Sequence, residues 1–451
     1  MKSLDGSDSG LRPALSDEAW ARLEEQLRDR PFLRSEGLAA AVRRPATCAP
    51  WLVEEANELV TRFDRFYRAI VDAKGTLAAE PARQLGGPDQ PYERIAEAEG
   101  DRSPLVLGRF DCVLDAHGTL RVIELNPIGV STLHLRAVAY TAHALHRQGD
   151  PFAQSLAVFA RDKTASMRRF IDETVASRPE HPVVGLIVMP GMHRGSKLQW
   201  AHELRAAGMV PVLGQPSDVR VDGAGLHVGG TRVDALWADW FLYLGYQQER
   251  YEQTRFASKV GDYSNAAASS EAILSLPGFA DALAARAFTI FSPLRAYRAL
   301  SKALLAWIDR PELALSADDR AYLHAHVAET VDHRAREGAF TPEQARRRRE
   351  ELVLKPCRFG GSHGVLIGRD VAPDTWAHKL DDVWSDPEWV LQDFIAPNRD
   401  AITGAQLSYG VYDYLGTQGG ILVRSADATI ISARTAGLIP ATQASRSPST
   451  T

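Results

Sequence analysis

Cysteine and long apolar runs are scarce in this sequence. It has 3 cysteines in 451 residues, and no two are spaced as Cys-x-x-Cys, which argues against a disulfide framework or a thiolate zinc site. No apolar run approaches the roughly 18 residues that cross a bilayer, and the first residues lack the apolar core of a signal peptide. We therefore expect a cytoplasmic protein that binds no membrane.

An excess of positive charge is also lacking. The net charge is -5 and the pI about 6.2, so no basic field attracts nucleic acid. Four arginines at 346–349 directly precede Glu350 and Glu351, which favours a solvated helix face over a nucleic-acid site. The sequence contains no His-Glu-x-x-His motif, which argues against a metal-dependent hydrolase. The predicted partners are therefore small molecules, and nucleic acid is excluded.

Hydrophobic periodicity predicts an α/β (α+β) protein of two or three packed units. Helical spacing covers 16–73, two alternating runs over 105–126 predict a β-hairpin, and 182–241 reads as strand, helix, strand. A long helical stretch, interrupted near Pro293 and Pro311, is predicted from Asp281 to about Arg349. Further strands are predicted at 352–354, 365–367, 389–391, 420–423 and 429–431. The Ser, Thr and Pro content after Ala441 predicts disorder.

The hairpin carries polar side chains at alternate positions, namely Arg109 and Asp111 on one strand and Glu124 and Asn126 on the next. If 117–118 is a two-residue turn, Asp111 lies opposite Glu124 and Arg109 opposite Asn126, although a bulge would shift this by one. Carboxylate and amide oxygens suit Mg²⁺, which often completes its shell with phosphates. The alternative is the solvent side of an amphipathic hairpin.

A lysine and a glycine-rich loop form a second candidate site. Lys355 ends an apolar strand, and the following loop contains Gly360, Gly361, Ser362 and Gly364. Glycine lets backbone N–H groups approach phosphate oxygens, and lysine adds a mobile positive charge. We expect this loop to close as a lid over bound nucleotide. The alternative is a bulged hairpin whose glycines serve turn geometry alone.

A later apolar strand contains a polar pair and two apolar residues, Gln392, Asp393, Phe394 and Ile395. Its backbone groups could bind the edge of a purine, while apolar side chains cover the ring faces. The segment is therefore a candidate adenine site. A plain buried strand is the alternative.

Two further cationic side chains complete the candidate set. Lys302 stands at the head of an apolar helix, where most lysines are simply solvated. Arg424 lies on a predicted strand after two glycines, available either for an anionic intermediate or for an ordinary ion pair.

Taken in this order, the motifs resemble the circularly permuted ATP-grasp family, which includes glutathionylspermidine synthetase. The resemblance covers about 105–440 and implies an ATP-grasp fold in permuted order with an inserted α/β domain. The run at 127–132 differs from that of glutathionylspermidine synthetase, and the peptidase domain of the bifunctional relatives is missing, so spermidine is not implied as a substrate. The positions that carry the resemblance are Arg109, Asp111, Glu124, Asn126, Lys302, Lys355, Gly360, Gly361, Gln392, Asp393 and Arg424.

The resemblance also implies an activity, with ATP and Mg²⁺ as cofactors. A small-molecule carboxylate and an amine would be joined into an amide through an acyl phosphate, with release of ADP and phosphate. The implied magnesium ligands are Asp111, Glu124 and Asn126, and the implied nucleotide-binding residues are Lys302, Lys355, Gly360, Gly361, Ser362, Gly364, Gln392, Asp393, Phe394 and Ile395. Arg109, and second Arg424, would hold the acyl phosphate.

The implied organisation has five parts. These are a helical N-terminal region (1–95), a metal-binding hairpin with helices (96–180), an inserted α/β pre-ATP-grasp-like domain (181–261), a nucleotide-binding part with the glycine-rich lid (262–440) and a disordered tail (441–451). Two alternatives stay open: a non-catalytic nucleotide-binding relative, and a kinase that stops at phosphate transfer. A homodimer also stays open.

Overall fold

The computed structural model of the protein describes residues 17–18, 21, 46–73, 91–100, 107–127, 151–188, 194–237, 263–291, 293–332, 341–357, 362, 364–400, 404–427, 429, 431, 437–439 and 441–443. The longer helices within these ranges are α1 (Pro50–Val71), α2 (Pro91–Ala98), α3 (Pro151–Thr174), α4 (Arg194–Ala206), α5 (Tyr263–Leu274), α6 (Phe279–Ala284), α7 (Ala317–His326), α8 (Pro342–Arg347) and α9 (Pro373–Val383). Short 3₁₀ helices cover Pro216–Asp218, Leu294–Ala299, Lys302–Trp307, Arg349–Glu351 and Gly368–Asp370.

The strands in the described residues form several sheets, which confirms the mixed α/β prediction. The strands are β1 (Ala46–Cys48), β2 (Gly108–Leu114), β3 (Leu120–Asn126), β4 (Val183–Ile187), β5 (Val210–Gly214), β6 (Val219–Asp222), β7 (Gly225–Val228), β8 (Thr231–Val233), β9 (Ala235–Trp237), β10 (Thr289–Ile290), β11 (Thr330–Val331), β12 (Leu352–Pro356), β13 (Leu366–Ile367), β14 (Trp389–Asp393), β15 (Gln406–Tyr414), β16 (Thr417–Ala426), β17 (Gly437–Ile439) and β18 (Ala441–Gln443).

A five-stranded antiparallel sheet in the order β17-β16-β15-β2-β3 carries the predicted hairpin. Alternation along its strands sends Phe110, Val411 and Val423 to one face, where they pack against the apolar side of α1. Phe63 of that helix meets Phe110 with ring centroids 5.0 Å apart. Because α1 covers this face, the polar side chains of the same strands lie on the opposite face.

A four-stranded antiparallel sheet in the order β11-β14-β12-β13 follows the same rule. One face packs Leu354 and Leu391 against Trp376 and Leu380 of α9, while α8 contributes Ala345. Residues next to these leucines along the strands point the other way. This second polar face contains the lysine predicted from the sequence.

The remaining large sheet is parallel, in the order β10-β9-β4-β5, with α4 joining β4 to β5. Helices α3 and α4 pack against it in one apolar cluster, and α5, α6 and the meander β6-β7-β8 belong to another. The strand, helix, strand prediction for 182–241 is confirmed over its described part. No helix within the described ranges has the length and apolar character needed to span a bilayer.

Three predicted elements are wrong. In the stretch from Asp281 to Arg349 the predicted breaks at Pro293 and Pro311 are present, but the rest is not all helical, because β10 and β11 join two different sheets within it. Thr429 and Ile431 lie outside strands.

The third error concerns both ends of the chain. β1 interrupts the predicted N-terminal helical region and pairs in parallel with β18. Residues 441–443, placed in the disordered tail, therefore form a strand. The rest of the predicted tail, residues 444–451, lies outside the described residues, as does the segment 134–149, where the spacing of apolar residues predicts a helix.

Candidate functional site

The polar face of the five-stranded sheet brings the four predicted hairpin residues together. Arg109 lies opposite Asn126, and Asp111 opposite Glu124, as the alternating sequence predicts. All four side chains point away from α1, because the intervening residues are in the apolar core. The pairing prediction is confirmed.

The turn that produces this pairing differs from the prediction. Leu114 pairs with Leu120, so the connection is longer than the predicted two residues at 117–118. The carboxylate of Asp115 accepts the backbone N–H groups of both His117 and Thr119, which stabilises the wider turn. A bulge between Asp111 and Cys112 then shifts the register by one residue. This shift compensates for the different turn, so Asp111 still lies opposite Glu124.

We call Asp111, its two arginine partners and Asn126 the arginine side of the site. Oδ1 of Asp111 accepts Nε of Arg109 and Nη2 of Arg424, each at 2.6 Å. Oδ2 accepts Nη2 of Arg109 at 2.9 Å and Nδ2 of Asn126 at 3.2 Å. Burial opposes ionisation of Asp111, but the two guanidinium charges hold its pKa down to about 2. Asp111 is therefore a carboxylate across the physiological pH range.

The absence of a side chain at Gly410 leaves room for Arg109 beside Asp111. Gly410 of β15 pairs with Asp111 of β2, and a Cβ at Gly410 would lie 2.9 Å from Cδ of Arg109. Beside it, Ser408 pairs with Arg424. The Oγ atom of Ser408 and Nε of Arg424 are buried and have no hydrogen-bond partner within the described residues. The arginine side thus retains polar atoms that a ligand or a rearranged side chain could satisfy.

The sequence-based predictions do not include β15, which lies at the centre of the sheet. A signal for it was present, because Leu407, Tyr409 and Val411 alternate with Ser408 and Gly410. That alternation is weak because a glycine and a serine stand where a half-buried strand usually has larger residues. Both residues belong to the candidate site.

We call Glu124, Lys302 and Lys355 the lysine side. Nζ of Lys302 lies 3.2 Å from Oε1 of Glu124. The backbone N–H of Lys302 also donates to the carbonyl of Cys357 at 2.8 Å, and Ser301 caps this 3₁₀ helix. Only 5% of Lys302 is exposed, so the solvated alternative is wrong.

Lys355 connects the second sheet to the hairpin. Its Nζ donates to the carbonyl of Ile123 at 3.2 Å and to Oε1 of Gln392 at 2.5 Å. Residues separated by 232 positions therefore meet in one place. This contact brings the lysine strand β12 next to the carboxylate hairpin.

The charge of Lys355 depends on its burial and on charged groups of the hairpin and the neighbouring 3₁₀ helix. Burial and nearby Lys302 lower the pKa of Lys355 while Glu124 and Asp111 raise it, and the net result is a pKa of about 8. Lys355 is thus largely protonated at neutral pH and loses its charge in mildly alkaline solution.

The site has more positive than negative charge. Arg109, Arg424, Lys302 and Lys355 surround two carboxylates, which leaves an excess of two positive charges. No described group brings together three or more His, Cys, Asp or Glu side chains. A lone divalent cation does not suit this charge balance, whereas a cation accompanied by phosphates does. Carboxylate and amide oxygens are ligands that suit Mg²⁺, but Asp111 already accepts four hydrogen bonds, so a cation bound there would have to displace some of its donors. The magnesium role of Asp111, Glu124 and Asn126 stays a prediction.

The predicted adenine segment is only partly available to a purine. The backbone N–H of Asp393 donates to the carbonyl of Glu329 at 2.8 Å, and that of Phe394 donates to the carbonyl of Glu351 at 2.7 Å. These two donors are therefore occupied in the structure. The adenine-binding role of Gln392, Asp393, Phe394 and Ile395 stays a prediction.

The glycine-rich loop is described only in part. Gly360 and Gly361 lie outside the described residues, while Ser362 and Gly364 have φ angles of 60° and 69°. A Cβ on Gly364 would lie 2.8 Å from Cγ of Pro356. Both the backbone conformation and this close approach require glycine, so turn geometry accounts for Gly364. The phosphate-binding role of the loop stays a prediction.

Comparisons with known proteins give distant likenesses. No protein-family model matches the sequence, and no curated protein matches it. Among solved structures, a glutathione synthetase-like effector from Globodera pallida in its apo form is 12% identical, with a TM-score of 0.48, over 95% of this chain and 98% of that one. A protein assigned as a γ-glutamylcysteine synthetase of Methylobacillus flagellatus is 13% identical, with a TM-score of 0.39, over 82% and 83%. At these TM-scores neither likeness decides fold or activity.

Proposed function

We propose that the protein is an ATP-dependent carboxylate–amine ligase with an ATP-grasp fold in permuted order, acting on small amino-acid-like substrates. One observation carries the proposal: two buried lysines from separate elements reach the carboxylate hairpin beside two arginines. This arrangement has an excess of positive charge next to hard oxygen ligands. Such a combination suits a magnesium-bound nucleoside triphosphate.

Lys302 and Lys355 would hold the phosphates. Both ammonium groups are buried, so their attraction to phosphate oxygens is screened less by water than that of a surface lysine. They approach from different elements, so the phosphates would lie against β3 between the two sheets. The adenine would then lie toward Ile395, at the end of β14.

Asp111, Glu124 and Asn126 would hold magnesium. The metal, when bound, neutralises phosphate charge and fixes the phosphates for transfer. Glu124 and Asp111 come from opposite strands, so they can approach one cation from two sides. Asn126 already donates to Asp111, which keeps the amide beside the carboxylates.

Arg109 and Arg424 would bind the reacting carboxylate and then the acyl phosphate. Arg109 directs two N–H groups, and Arg424 one, toward Asp111. A guanidinium has five N–H donors, so each arginine retains donors for a substrate oxygen. The substrate carboxylate attacks the γ-phosphorus and ADP leaves; the amine then attacks the acyl carbon, phosphate leaves and the amine loses a proton.

The experiment is a measurement of ADP release by the full-length protein with Mg²⁺-ATP and pairs of amino acids, with mass spectrometry of the products. The expected result is ADP release that depends on both a carboxylate and an amine, with one amide formed per ADP. Arg424→Met is the comparison with strongly reduced activity, and Arg65→Met is the matched control because Arg65 lies on α1, which covers the opposite face of the sheet, and pairs there with Asp319.

Two other outcomes would contradict the ligase proposal. Nucleotide binding with no ADP release for any pair would indicate a binding protein. ADP release with a phosphorylated product and no amide would indicate a kinase.

A further inference from the structure

Gln392 lies next to Lys355, on the strand that pairs with β12, and is almost fully buried, with 1% of the residue exposed. It belongs to β14, the central strand between β11 and β12, so its backbone is within the sheet. Its Oε1 atom accepts Nζ of Lys355 at 2.5 Å. The side chain of Gln392 therefore contacts the predicted phosphate-binding lysine.

The orientation of the Gln392 amide is fixed by Thr330. The hydroxyl of Thr330 donates to the carbonyl of Ala328 at 2.8 Å, so its oxygen is left to accept a hydrogen bond. Nε2 of Gln392 donates to that oxygen at 2.8 Å. Because the amide nitrogen is committed to Thr330, the amide oxygen must point toward Lys355. A chain of three hydrogen bonds thus runs from β11 to the lysine.

We propose that Gln392, oriented by Thr330, is a positioning residue that holds the ammonium group of Lys355 against the hairpin, ready for phosphate. The contact with the carbonyl of Ile123 completes the arrangement, so two fixed acceptors direct the ammonium and one N–H group is left for a ligand. The inference rests on the proposed nucleotide site.

An uncharged acceptor suits this position. The charged groups near Lys355 are Glu124 and Asp111 from the hairpin and Lys302 from the 3₁₀ helix. A glutamate in place of Gln392 would form a strong ion pair with Lys355 and compete with phosphate for it. A neutral amide directs the ammonium without neutralising it, so its charge stays available to an anionic ligand.

A double-mutant cycle tests the positioning role. The affinity for Mg²⁺-ATP is measured by calorimetry for the wild type, Gln392→Leu, Lys355→Met and the double variant, and the stability of the same four proteins is measured by denaturant unfolding. In the wild-type background we expect Gln392→Leu to weaken Mg²⁺-ATP binding about tenfold. In the Lys355→Met background we expect the same substitution to weaken it less than about twofold.

Variants of Thr330 test the orientation separately. Thr330→Val keeps the shape but removes the hydroxyl, so we expect weaker Mg²⁺-ATP binding, whereas Thr330→Ser should restore it because serine also donates and accepts. Leu391→Val is the matched control. Leu391 neighbours Gln392 on β14 but packs in the apolar cluster on the opposite face, so loosening the strand there should leave nucleotide affinity unchanged.

The two measurements separate the possible failures. The positioning role would be overturned if the protein binds Mg²⁺-ATP but Gln392→Leu lowers the affinity equally in the wild type and in Lys355→Met, and if the stability changes of the two substitutions are additive. Coupled stability changes in a protein that binds no Mg²⁺-ATP would support the contact between Gln392 and Lys355 and overturn the proposed function.

Discussion

The arginine side and the lysine side of the site hold their carboxylates in different ways. Asp111 accepts four hydrogen bonds from three side chains, and its side chain is 12% exposed. Glu124, directly opposite on β3, has one lysine contact at 3.2 Å and a side chain that is 23% exposed. Neighbouring carboxylates on one hairpin therefore differ in how strongly the fold restrains them.

The difference indicates a division of roles. Four donors around a buried carboxylate make the arginine side part of the folded framework, since removal of Asp111 leaves two buried guanidinium groups uncompensated. The lysine side is less restrained, and its charges can be redirected toward a ligand with a smaller structural cost. Changes on the arginine side should affect stability and activity together, and changes on the lysine side mainly ligand binding.

The largest expected effect is on stability. Asp111→Ala should lower the free energy of unfolding by about 3–5 kcal/mol, as expected when one partner of a buried ion pair is removed. Glu124→Ala should cost only about 1 kcal/mol, because that carboxylate is partly solvated. Denaturant unfolding of both variants measures the difference, and equal losses would remove the distinction between the two sides.

The next effect is on the rate of the proposed reaction. Arg424→Met should lower the rate of ADP formation about a hundredfold, or about 3 kcal/mol in the barrier, because a preorganised cation is lost from the acyl phosphate. Lys302→Met should act mainly through a higher KM for ATP. Steady-state kinetics separate the two, and a change in KM alone for Arg424→Met would contradict its role.

Gly410→Ala tests the space that the arginine side needs. The new Cβ would lie 2.9 Å from Cδ of Arg109, so that side chain must move and the bonds to Asp111 must weaken. We expect a loss of about 1–3 kcal/mol in unfolding free energy. Gly223→Ala is the control, since a Cβ there meets no atom within 4 Å. Equal stability of the two variants would show that Arg109 adapts freely.

The smallest expected effect is a pH dependence on the lysine side. Lys355 has a pKa near 8, so Mg²⁺-ATP affinity should fall about tenfold as the pH rises from about 7 to 9. Its folded pKa lies below the ordinary value of 10.5, so the folded protein binds fewer protons between pH 8 and 10.5 and its stability should rise there. Binding and stability thus change in opposite directions.

Lys355→Arg should remove both trends, because arginine stays charged throughout this range. Calorimetric titration and denaturant unfolding at matched pH values provide the two readouts. An unchanged pH profile in Lys355→Arg would assign the dependence to another group.

The hairpin was predictable because a strict period of two places alternate side chains on one face. Its pairing was correct although the turn was not, since the bulge beside Asp111 compensated for the wider turn. The burial of Lys302 was not predictable, because it depends on Glu124, which is remote in the sequence. Two-residue strands such as β10 and β11 are also too short to show a period.

The strand order of the five-stranded sheet bears on how the protein is made. β2 and β3 emerge from the ribosome long before β15 to β17, and the contact between Arg424 and Asp111 joins residues 313 positions apart. Until the late strands are synthesised, the hairpin has an unpaired edge and a carboxylate without its second arginine. A nascent chain that stops before β16 therefore lacks the contact between Arg424 and Asp111, and the arginine side is assembled among the last parts of the molecule.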